Sequence, residues 1–94
     1  MGIVLDTYAE DLYKVHAFEW DNAIKAYTHI YRLDKDYHAE VIITDEKFGI
    51  CLFDDNGKLV ESVSGDCKGV YQGTVLDTID TELEILLRER GIIE

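Results

Sequence analysis

The chain has no proline, one tryptophan, one methionine and two cysteines, and its basic residues are scarce, with 9 Lys plus Arg against 20 Asp plus Glu. That scarcity argues against a protein that grips nucleic acid directly, because phosphate contacts need clustered Lys and Arg. A net charge of −11 is likewise repelled by anionic lipid. No apolar run approaches the roughly 18 residues of a membrane span. The longest, Val41-Ile42-Ile43 and Ile85-Leu86-Leu87, have the length of core segments. Met1 to Leu5 lack the basic start and long apolar stretch of a secretory signal, and Asp6 stands where N-myristoylation requires Ser or Thr. These features lead us to expect a cytoplasmic protein without a membrane partner. Cys51 and Cys67 form no CxxC pair, and in such a compartment we expect reduced core thiols.

What is present is a chain of 94 residues that is 47% apolar and 11% aromatic. This is too apolar for a disordered acidic tail. The length suits one domain over residues 1–94, burying about 60–65% of the surface its unfolded chain exposes. There is no linker, internal repeat or low-complexity tract.

The clearest periodicity lies at the C-terminus. Leu76, Ile79, Leu83, Leu86 and Leu87 recur at three- and four-residue spacing, which places them on one helical face. Thr74 is the expected N-cap and Gly91 the stop. His38 to Thr44, Phe48 to Phe53 and Leu59 to Ser64 are short runs rich in β-branched and apolar residues, as strands require. Asp54-Asp55-Asn56-Gly57 joins the last two as a hairpin turn, and Thr44-Asp45-Glu46-Lys47 supplies another. Two- and three-residue loops are both compatible with the first of these, and they give different registers. Ile24 to Leu33 fits a helix through Trp20, Ile24, Tyr27 and Tyr31, or a strand through Tyr27, His29, Tyr31 and Leu33. Its Tyr, Thr and Ile content favours the strand. Asp6 to Ala17 reads as a helix with Tyr8, Leu12 and Val15 on one side and Glu10 paired with Lys14 at i,i+4. The expected fold is α+β: a three- or four-stranded antiparallel meander packed with an N-terminal and a C-terminal helix.

Motifs for catalysis and metal binding fail on spacing. His16, His29 and His38 are scattered and form neither HxH nor HExxH. Asp54-Asp55-Asn56-Gly57 would put Leu52 at the first ligand position of a calcium loop. Cys67, beside Lys68 in a glycine-bearing loop before the helix, is the better nucleophile of the two thiols, but Asp66 opposes its thiolate. Gly65, Gly69 and Gly73 match neither phosphate-binding glycine pattern, and Asp77, Asp80 and Glu82 occupy the positive end of the helix that would receive a phosphate. No catalytic, cofactor or metal residue is therefore assigned.

The carboxylates remain. Asp77, Asp80 and Glu84 form one polar stripe on the C-terminal helix, with Glu82 and Glu89 flanking it and neighbouring Cβ atoms about 5–6 Å apart. Most have a local explanation. Acid near the helix start and Arg88 and Arg90 near its end suit the helix dipole, Glu84–Arg88 is an i,i+4 pair, and Asp34, Asp36, Asp45, Asp54, Asp55 and Asp66 fall in turns. The local explanation does not cover the missing compensation, since solubility needs a charge magnitude of only about 2–8. The leading expectation is an acidic, non-enzymatic inhibitor that occupies a basic, nucleic-acid-handling partner such as a nuclease, as a phage anti-CRISPR or anti-restriction protein would. Asp77, Asp80, Glu84, Glu82 and Tyr71 are its candidate contacts. The alternatives are a regulatory or scaffolding interaction module using the Tyr and Leu surface, and a small-ligand or Cys67-dependent enzyme. Association with a second copy is left open.

Overall fold

A computed structural model describes residues 11–92. In chain order the elements are α1 (Leu12–Val15), β1 (Glu19–Asp21), β2 (Ala26–Arg32), a 3-10 turn (Asp34–Asp36), β3 (His38–Ile43), β4 (Lys47–Phe53), β5 (Leu59–Asp66) and α2 (Gln72–Glu89). The five strands make one antiparallel sheet in the order β1-β2-β3-β4-β5. The α+β class and the meander agree with expectation, with one strand more than expected. That strand, β1, has three residues, all exposed, so it offers no alternation to read.

Pleating sorts the central strands into two faces. Ala39, Val41 and Ile43 of β3 stand opposite Leu52, Ile50 and Phe48 of β4, and all six are buried. Val75, Leu76, Ile79, Leu83, Leu86 and Leu87 of α2 complete this core. Ile24 to Leu33 resolves as a strand from Ala26, with Tyr27, His29 and Tyr31 paired to Ile43, Val41 and Ala39 and so on the core face. The opposite face carries Ile30, Glu40, Cys51 and Ser62 across one row. Cys51 is thus a half-buried residue of the outer face, whereas Cys67 is a core thiol; both are free. The ring of Phe48 lies over Gly65, where an added Cβ would come within 2.7 Å of Cζ.

Turn chemistry sets the register. Asp54 N–H donates to the Lys58 carbonyl at 3.0 Å and Gly57 N–H to the Asp54 carbonyl at 3.0 Å, closing a three-residue loop with Gly57 at φ 78°. The pairing then slips between Leu52 and Phe53, leaving Val60 as the extra residue of β5. At the next turn the Thr44 hydroxyl accepts from the amides of Glu46 and Lys47.

Both helices differ from expectation at their ends. α2 begins at Gln72 with Tyr71 at the N-cap and no side-chain cap, because Thr74 N–H already bonds the Tyr71 carbonyl and Thr74 lies inside the first turn. Its C-terminus follows expectation. Gly91, at φ 72°, donates to Arg88, and Ile92 N–H donates to Leu87, which is the Schellman arrangement. Lys35 Nζ donates to the Gly91 carbonyl at 2.9 Å and Arg90 Nη2 to the Val60 carbonyl at 2.6 Å, fastening this end of α2 to the sheet. α1 is a single turn. Asp11 is extended and caps it by accepting from Tyr13 N–H at 3.1 Å, so no helix runs through Asp11. Tyr13, rather than Val15, turns inward; Val15 is 59% exposed. Tyr8 and Glu10 of the expected helix lie outside the described residues.

Candidate functional site

Two surfaces could carry chemistry: the outward face of α2 and a cleft at the end of the sheet where α2 begins. On α2, Asp77, Asp80 and Glu84 are exposed, as the 3.6-residue period requires. Glu82 is half-buried and lies on the other side of the helix, about 140° round from Asp77 at 100° per residue. The five expected contacts therefore do not form one surface. Tyr71 is 70% exposed at the helix entrance, with its ring resting on Gly73.

Each carboxylate of the stripe has a distinct environment. Glu84 Oε2 accepts from Arg88 Nη2 at 3.0 Å, with both side chains more than half exposed, so the pair contributes little to stability. Asp80 is exposed, yet its charge is felt by Tyr31 of β2. Burial, and then the Asp80 carboxylate, push the Tyr31 phenol above its ordinary pKa. Residues 69–87 include no Lys or Arg, so within the stripe only Glu84 is answered by a base, Arg88 one turn on. The proximity of Asp80 to Tyr31 was not legible in sequence, because it depends on which strand flanks the helix.

The cleft has a volume of about 550 Å³. Tyr13 of α1, Trp20 of β1 and Tyr27 of β2 form its aromatic wall, Ile43 and Val70 add apolar surface, and Lys25 and Asp45 are the charged residues lining it. Trp20 and Tyr27 meet with ring centres 5.0 Å apart at 66°, and Tyr13 and Tyr27 at 5.0 Å and 59°. The Tyr27 hydroxyl donates to the Asp11 carboxylate. That bond, reinforced by burial, pushes the Tyr27 phenol up to about 12. Burial, then the neighbouring Cys67, Asp11 and Tyr27, push Tyr13 up to about 12 as well. Gln72 ties the start of α2 to α1 by accepting from Tyr13 N–H at 3.2 Å. The sequence reading missed this cleft. Tyr13, Trp20, Tyr27 and Val70 belong to four segments that only the fold brings together.

The remaining candidates do not converge. Cys67 also lines the cleft, but its thiol is raised by burial and by Asp45 and Asp66, and its Sγ lies 3.5 Å from the Thr44 carbonyl. The opposition expected from Asp66 is present, and burial and Asp45 add to it, so Lys68 does not activate the thiol. His29 packs between Phe18 and Tyr31 on the core face, while His38 stacks on Phe53 on the outer face. Among the described residues no three His, Cys, Asp or Glu side chains are grouped to hold a metal ion, and no helix is long and apolar enough to cross a membrane. Asp54 acts within its turn, accepting from the amides of Lys58 and Asn56, which hold its carboxyl below the ordinary range. Comparison with protein-family models, curated proteins and solved structures gives no match to the chain.

Proposed function

We propose that this is a non-enzymatic binding protein that occupies a basic, nucleic-acid-binding surface on a partner, with the outward face of α2 as its contact. One observation carries the reading. From Asp77 to Glu84 the helix offers exposed carboxylates at i,i+3 and i,i+4 spacing, with no base before Arg88. A row of carboxylates on a rigid helix can stand in for a row of phosphates. A partner cleft already furnished with Arg and Lys would be attracted by the field of the whole chain, and association would weaken as salt screens it. A phage inhibitor of a host nuclease, of the anti-CRISPR or anti-restriction kind, is the functional class these properties fit.

The test is capture of the partner from a nuclease-expressing host, using wild type and a variant carrying Asp77→Lys and Asp80→Lys. The expected result is a basic protein held by wild type, displaced by added nucleic acid and lost from the variant. Retention of the same partner by both proteins, indifferent to nucleic acid, would reject α2 as the contact. It would favour the interaction-module reading, in which Tyr71 and its apolar neighbours bind.

A further inference from the structure

We infer that the 550 Å³ cleft receives an arginine or lysine side chain presented by a protein partner, so that the contact surface extends from α2 across the adjacent end of the sheet. The inference rests on the basic-partner reading above and deepens it by naming a receptor for a single side chain.

Four properties of the cleft support this. Three aromatic side chains, Tyr13, Trp20 and Tyr27, line it, and aromatic rings attract cations, Arg most readily. Asp45 supplies a carboxylate at the lining, and the Asp11 carboxylate accepts from the hydroxyl of Tyr27, itself a lining residue. Lys25, the one base among the described residues lining the cleft, donates its ammonium to Asn22 Oδ1 at 3.0 Å within its own hairpin loop and forms no ion pair with Asp45, whose carboxylate stays open to a cation. Finally, the field of a chain at −11 repels anionic occupants and concentrates cations.

The surroundings favour a side chain on a protein over a free small cation. Trp20 and Val70 are exposed apolar residues of the lining, and Ile24 and Tyr71 directly adjoin Lys25 and Val70 in the chain and are exposed too. Exposed Trp and Tyr around a central pocket are the residues that dominate protein interfaces. The methylene stem of Arg or Lys would lie along Ile43 and Val70 while its charged head reaches Asp45. Asp77 is five residues beyond Gln72, about 7.5 Å along the helix axis, so one basic partner surface can span both regions.

Trp20 is the only tryptophan, which makes its indole N–H a direct reporter. The experiment is an NMR titration of the full chain at low salt with N-acetyl-arginine amide, repeated with the uncharged N-acetyl-citrulline amide. Saturable shifts of the Trp20 indole and of the Asp45 and Val70 amides are expected, with citrulline binding about fivefold more weakly or less. Trp20→Leu, at an exposed position, should leave the spectrum folded and weaken the Val70 response. Equal response to both probes would overturn the inference, since charge would then play no part. Shifts confined to Asp77, Asp80 and Glu84 would also overturn it while leaving α2 as the contact. Failure of the capture experiment, with the cleft still responding, would reject only the α2 reading.

Discussion

Ala17 sits where the backbone favours glycine. It has φ 70°, donates its N–H to Lys14, and is followed by Phe18, whose N–H donates to Tyr13, so α1 ends in a Schellman arrangement with alanine at its left-handed position. A Cβ there costs about 1–2 kcal/mol. Ala17→Gly is therefore expected to stabilise the fold by about 1 kcal/mol, read as a higher urea midpoint with an unchanged slope. The comparison with Gly91 is instructive. A glycine after an apolar periodic run reads as a stop, whereas an alanine in the same conformation sends no signal; the first helix was expected to run through Asp11 because its N-cap was not recognised. The tyrosines give a second prediction. Tyr13 and Tyr27 ionise near 10 when unfolded and at about 12 when folded. Below pH 10 both states keep these protons, and stability is unaffected by them. Between about 10 and 12 the unfolded chain releases protons that the fold retains, so stability falls across that window. Denaturant unfolding at successive pH values should show the fall. Tyr27→Phe should remove part of it.

At the scale of elements, α2 carries both stability and the proposed contact. Its C-terminus is closed by Gly91 and held by Lys35 and Arg90, while its N-terminus has no side-chain cap. Tyr71→Asp is expected to add about 0.5–1 kcal/mol by capping the first turn, measured by thermal or urea unfolding. The same change exchanges an exposed ring beside Val70 of the cleft for a further carboxylate. The core face of α2 was legible in sequence because Leu76, Ile79, Leu83, Leu86 and Leu87 repeat with the helical period. β2 was legible from its Tyr-Thr-Ile composition, and β3 and β4 from their β-branched and apolar content and turn residues. β1 was not, since Glu19, Trp20 and Asp21 lack a buried partner pattern. The start of α2 was misplaced because a Thr inside a first turn carries the same signal as a Thr before it. Of the candidate contacts, the exposure of Asp77, Asp80 and Glu84 followed from the period, while Glu82 fell on the wrong flank.

For the whole molecule, the net charge of −11 is carried on a two-layer fold whose described side chains form only two ion pairs, Glu84–Arg88 and Glu61–Arg90, both largely exposed. Turns explain where many carboxylates lie, and the helix dipole explains others, but neither explains why so few are answered by bases. The proposed contact with a basic surface accounts for it through electrostatic steering, which acts mainly on the rate of encounter. The most direct test is therefore the association rate of the captured partner with wild type and with the Asp77→Lys, Asp80→Lys variant, at low and at physiological ionic strength. If α2 is the contact, the variant should associate about tenfold more slowly or worse at low salt, and salt should slow wild type more than the variant. Equal rates for the two proteins at low salt would contradict the account.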